Sequence, residues 1–162
     1  MRKRIKYLFL CIVVIGLLVG CSNSSKEQNV ESFIKKMVSY DTYKDIASVE
    51  ESGQFIEDYK SIFGEYLTED AFDLLMANRV FTRYSSVISE ASNVTDINFT
   101  KTSETENDGY IHFEYEVSYK IERNGETIDM KDYMAFNVLD EKGYKIERIS
   151  ISDKTSSIFK AF

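Results

Sequence analysis

The sequence predicts an α+β domain in which N-terminal helices pack on one face of a curved, four-stranded antiparallel sheet. Three observations carry that expectation. Residues 109–123 alternate strictly. Ile111, Phe113, Tyr115, Val117, Tyr119 and Ile121 point one way, and His112, Glu114, Glu116, Ser118 and Lys120 the other. A period of two is what a strand with one buried face requires. Upstream, apolar residues recur at three and four positions instead, the mark of helices with one buried stripe. Turn signals containing Gly109, Gly125 and Gly143 separate the alternating runs, as tight antiparallel hairpins need.

The chain has 162 residues, 14% of them aromatic, and no proline. That suits one domain with a substantial core. Its first twenty residues are expected to lie outside that domain. Arg2, Lys3, Arg4 and Lys6 form a basic start, and residues 7–18 are an apolar run broken only by Gly16. The run is shorter than the roughly 20 residues that span a bilayer and has the size of a signal-peptide core. It ends in Leu18-Val19-Gly20-Cys21, which resembles the lipobox of bacterial lipoproteins. The resemblance implies removal of residues 1–20 and a diacylglyceryl group on the Cys21 thiol, with palmitate-type chains holding the protein to the membrane. Residues 21–28 are then lipidated cysteine and flexible tether, and 29–162 the single domain.

Two consequences follow. The chain's two cysteines are Cys11 and Cys21, so the expected mature domain has no disulfide and relies on its core. Of 20 Lys and Arg, four lie in residues 1–20; the remaining 16 stand against 27 Asp and Glu, a net charge of about −11. So acidic a domain is unsuited to nucleic acid or to lying on anionic lipid.

Asn29 is expected to cap a first helix, with Val30, Phe33, Ile34, Met37 and Val38 as its stripe. Residues 42–53 are ambiguous: Ser48 and Glu51 have capping-box spacing, but Gly53 opposes a helix. Phe55, Ile56, Tyr59, Ile62 and Phe63 give a second helix, ended by Gly64. Thr68 caps a third, with acids in its first turn. Phe72, Leu75, Met76, Val80, Tyr84, Val87 and Ile88 form its stripe, with a break expected near Asn78 or Thr82. The first strand starts near Val94, the second is the alternating run, the third covers about 127–139, and the fourth 144–152. In the fourth, the apolar phase slips between Ile146 and Ile149, which predicts a bulge near Glu147. The tail from Lys154 carries Ile158 and Phe159, able to dock or fray.

Helices followed by a long antiparallel meander is similar to the NTF2-like (cystatin-like α+β cone) superfamily. Residues 66–72 and the Tyr144-Lys145-Ile146 run resemble small NTF2-like lipoproteins of Firmicutes, Gram-positive bacteria. The family's short first strand, between the second and third helices, has no obvious counterpart. Enzymes of the superfamily place an acid or a histidine in the cone as general base, and no motif match transfers such a residue here.

Read residue by residue, catalytic chemistry finds little support. His112, the one histidine, falls on the polar side of its strand without an acid–base partner, and is expected to be structural or surface. Glu104, Glu106, Asp108 and Gly109 imitate the start of a calcium loop, but the position that needs a bidentate acid is Tyr115; an acidic turn is expected instead. Tyr115 and Tyr119, with Tyr59 or Tyr84, either line a pocket or are core with polar tips, the latter being the commoner arrangement. No cofactor or metal is expected, and no enzyme activity. The function expected is a non-enzymatic binding or assembly module on the extracytoplasmic face of the cell membrane, held by acylated Cys21 and partnered by an envelope protein. Conjugation machineries use extracytoplasmic domains of the family it resembles. The alternative is a pocket protein that binds or isomerises a small apolar ligand.

Overall fold

The computed structural model describes residues 24–44, 46, 54–140 and 143–160. The leader, Cys21 and the Ser48–Glu51 capping spacing lie outside the described residues. Helix α1 spans Ser24–Val38 and α2 Tyr40–Tyr43; α3 is Phe55–Phe63, α4 Glu69–Ala77 and α5 Val80–Ser89. Strands β1 (Asn93–Asn107), β2 (Tyr110–Arg123), β3 (Glu126–Leu139) and β4 (Ile146–Ile151) follow, then a 3-10 turn at Ser157–Phe159. The sheet is antiparallel, in the order β1-β2-β3-β4. The helices-on-meander layout is therefore as expected, with five helices among the described residues in place of three.

Helix α1 starts five residues ahead of Asn29. Residues 24–28, expected as tether from their small polar composition, are its first turns. Two of their side chains, Lys26 and Glu27, find partners on the sheet side. Lys26 pairs with Asp140 at 2.8 Å and lies 5.3 Å from the Tyr144 ring, and Glu27 pairs with Lys101 at 3.0 Å. Asn29, expected as the cap, donates from Nδ2 to the Tyr144 carbonyl at 2.7 Å. The expected stripe of α1 is buried at all five positions.

The expected cap at Thr68 is present, its Oγ1 accepting from Ala71 N at 3.2 Å. The third expected helix breaks between α4 and α5, where Arg79 takes a left-handed φ of 57°. Gly64 ends α3 at φ −64°; a Cβ there would sit 2.5 Å from the Lys60 carbonyl oxygen, so only glycine fits.

On β2, all six residues of the apolar row are buried, while Glu114 and Glu122 are exposed. The helices therefore cover the odd-numbered face. Asn124 and Gly125, both at positive φ, make the β2–β3 turn the type I′ hairpin that the Asn-Gly pair announces. Strand β1 carries an extra residue twice, between Thr95 and Asn98 and between Lys101 and Ser103. Bulges of this kind bend a strand and spoil its outer edge for further pairing. The expected bulge in β4 is present: Asn137 pairs with Arg148 but Val138 with Ile146, leaving Glu147 unmatched.

Strand β4 begins at Ile146, two residues later than expected. Tyr144 has φ 63°, a conformation that cannot extend a strand. At Ile146 it also meets Leu67 in a parallel bridge, with Thr68 N donating to Ile146 O at 3.0 Å and Ile146 N to Tyr66 O at 2.9 Å. This bridge lies between α3 and α4, where the sequence offered no obvious strand.

Candidate functional site

The buried row of β3 reads Met130, Asp132, Met134, Phe136 and Val138. One member is an acid. Asp132 is 0% exposed, and a carboxylate taken out of water needs donors to replace its hydration. Three elements bring them. Tyr84 on α5 and Tyr119 on β2 each donate a phenolic hydrogen bond to Oδ2 at 2.9 Å. The backbone N–H of Ile158, in the C-terminal 3-10 turn, donates to Oδ1 at 3.2 Å.

The cluster is electrostatically tense. Burial raises the Asp132 carboxyl above its usual value, and the bonds from Ile158, Tyr84 and Tyr119 oppose that rise without cancelling it. Burial, reinforced by the nearby Asp132 carboxylate, pushes both phenols well above the ordinary tyrosine value. A raised acid among weak donors holds or releases a proton; with Tyr84 and Tyr119 as donors it also fixes the orientation of whatever lies against it. Here that place is taken by the chain's own tail.

The tail docks. Ile158 and Ser156 are both 0% exposed. Phe159 lies under the Arg83 guanidinium, 4.7 Å from its centre.

The four tyrosines of the sequence reading separate. Tyr84 and Tyr119 meet at Asp132. Tyr59 stacks against Phe63 and Phe81 in the helix layer, at 6.4 and 5.3 Å. Tyr115 packs edge-on against Phe136 at 6.0 Å, and burial raises its phenol, helped by Glu27 and Glu31 nearby. Asp132 itself was missed by the sequence reading. Its signal was available: an acid in phase with Met130, Met134, Phe136 and Val138.

His112 sits partly exposed on the uncovered face, Nδ1 2.8 Å from Asn137 Oδ1 and Nε2 3.4 Å from Glu114 Oε1. It is far from the cluster in the sheet's layering, on the opposite side of β2. His112→Ala is expected to change stability by less than about 0.5 kcal/mol, measured by urea unfolding at pH 7; a loss above about 1 kcal/mol would mean that this contact network holds the sheet. Glu104 pairs with Lys101 at 2.6 Å. Among the described residues no group of three His, Cys, Asp or Glu converges to hold a metal ion.

Two surface clefts accompany the cluster. One, of about 600 Å³, opens on the outward face of α1 among Lys35, Lys36, Asp41, Asp58 and Tyr66. The other, of about 400 Å³, lies on the uncovered sheet face between Asp96, Lys120 and Asp129. Asp132 lines neither. No helix among the described residues is long and apolar enough to cross a membrane.

Fold and site together define an α+β domain of helices packed on a four-stranded antiparallel meander, with a buried acid held between sheet, helix α5 and the tail. No protein-family model matches the chain, and no curated protein is measurably similar to it. Two solved structures are similar to it. One is an IcmL-like type IV secretion system protein from Legionella pneumophila, 9% identical, the match covering 75% of this chain and 88% of that one, with a TM-score of 0.45. The other is a designed NTF2-like protein, Rd1NTF2_05, 15% identical, covering 78% of this chain and 99% of that one, with a TM-score of 0.38.

Proposed function

We propose that the protein is a lipoprotein of the cell envelope, anchored through acylated Cys21 on the extracytoplasmic face of the membrane. There it acts as a non-enzymatic binding or assembly module. The observation that carries the non-enzymatic part is the state of Asp132: both carboxylate oxygens are engaged by the protein's own donors, and the tail lies over it. An acid so occupied is a structural fastener. The anchoring rests on the basic start, the short apolar run and Leu18-Val19-Gly20-Cys21 in that order.

Cys21→Ser is expected to abolish metabolic labelling by palmitate and to leave residues 1–20 attached. Normal labelling of that variant would overturn the anchor. Crosslinking in the native cell, followed by identification of the crosslinked species, tests the assembly role. A reproducible envelope-protein adduct made by the wild type and lost with Cys21→Ser supports it. The absence of any protein adduct removes it.

One observation favours the alternative, a small apolar ligand bound or isomerised inside the cone. Asp132 is an interior acid beside two phenols. In that reading the tail has to move before a ligand reaches it.

A further inference from the structure

We propose that residues 152–160 form a detachable closure over one side of the cone, clasped by Asp132, and that its release is a separate opening step. In that step Asp132 is uncovered while the helices and the sheet stay folded. The inference holds for either reading of function.

The argument starts at the edge of β3. Strand β4 stops pairing at Ile151, opposite Met134. Beyond that point the N–H groups of Lys131 and Tyr133 have no strand to bond. Two serine hydroxyls take the place of strand carbonyls: Lys131 N donates to Ser157 Oγ at 2.9 Å, and Tyr133 N to Ser156 Oγ at 3.0 Å. One backbone bond, Ser152 N to Tyr133 O at 3.0 Å, prolongs the ladder before the chain folds back on itself, Ser156 N donating to Ser152 O at 3.0 Å. Side-chain caps of this kind lack the repeating support of a ladder, in which each bond holds the register of the next.

The apolar hold is equally local. Ile158 is the fully buried apolar residue of the segment, and Phe159 is only half-buried beneath Arg83. The body of the domain, by contrast, is fastened by the buried rows of β2 and β3 and the stripes of α1, α3, α4 and α5. Segments with few buried contacts and side-chain-dependent hydrogen bonds open before the rest of a domain does.

Asp132 joins the two parts. Its Oδ2 is held by Tyr84 and Tyr119 in the body, and its Oδ1 holds Ile158 in the closure. Those distances put the clasp on a single carboxylate, two of whose bonds survive when the third is released.

Amide hydrogen exchange of the full chain in detergent micelles tests this. The amides of Lys131, Tyr133 and Ile158 are expected to exchange as a set, at least about tenfold faster than those of Val117 and Phe136 in mid-sheet. Asp132→Asn, which leaves one acceptor oxygen where the carboxylate has two, is expected to speed the set about tenfold further and leave mid-sheet amides within about twofold. Equal rates for the set and mid-sheet in the wild type, or equal acceleration of both in the variant, would overturn the proposal. Should Asp132→Asn fail to fold, Ser156→Ala serves: the whole set accelerates if the closure lifts as a unit, and Tyr133 alone accelerates if it does not.

Discussion

Replacing Asp132 by Ala is expected to destabilise the domain by about 3 kcal/mol at neutral pH. The change strands three donors in a dry interior: the Tyr84 and Tyr119 hydroxyls and the Ile158 N–H. A buried donor left without a partner costs about 1–3 kcal/mol. Part of the sum is offset, because removing the carboxylate also removes the cost of burying its charge. The pH dependence separates the two effects. Burial raises the folded carboxyl above its ordinary value, so the folded protein binds this proton more tightly than the unfolded chain does. The proton-linked part of the stability that Asp132 contributes is therefore complete below the unfolded value and is lost as pH climbs through the raised folded value, leaving the hydrogen-bond part at neutral pH. The gap between wild type and Asp132→Ala should be widest in acid and narrow towards pH 7. Urea midpoints of both proteins between about pH 4 and pH 7 measure it. A gap that widens with pH would mean that the hydrogen bonds outweigh burial and that the acid ionises readily in place.

Much of this architecture was legible because periodicity is a direct image of burial. The β2 row, the α1 stripe, the Thr68 cap, the Asn124-Gly125 turn and the bulge at Glu147 each follow from residue type at fixed spacing. What escaped depends on partners distant in sequence. Residues 24–28 look like tether until Lys26 and Glu27 meet Asp140 and Lys101. Tyr144 reads as strand until its φ of 63° is known. Asp132 was hidden for a third reason. A polar residue in an apolar row is easily taken as a gap in the pattern, whereas its burial depends on donors from α5, β2 and the tail arriving together. Phe81 escaped similarly: the left-handed Arg79 resets the helical phase, and a residue off the continuous stripe turns inward.

That turn makes Phe81 the position where truncation should do most harm: Phe81→Ala is expected to cost about 4 kcal/mol. Large-to-small changes at fully buried aromatics cost about 3–5 kcal/mol, as lost transfer energy plus the cavity left behind. Phe81 is 0% exposed, and its ring is the meeting point of three helices. It stacks on Phe63 at 4.6 Å and Tyr59 at 5.3 Å, both from α3, and leans on Phe72 of α4 at 5.7 Å. Each aromatic pair adds about 0.5–1.5 kcal/mol beyond its buried area, which puts the loss in the upper part of the range. The chain of rings continues from Phe63 to Phe33 of α1 at 5.7 Å, and from there to Phe136 of β3 at 6.1 Å. It therefore couples the helix layer to the sheet, in a domain where residues 22–162 hold no cysteine to staple it. Against a total stability of about 5–15 kcal/mol, the variant loses a large share of its margin. Leu74→Ala provides the contrast one helix away: Leu74 is 47% exposed, and its truncation should cost under about 1 kcal/mol. Phe81→Leu should recover about half of the alanine loss, since it restores volume but not stacking. Urea midpoints at unchanged slope read all three. Equal losses for Phe81→Ala and Leu74→Ala would mean that the helices pack on the sheet independently of the stack.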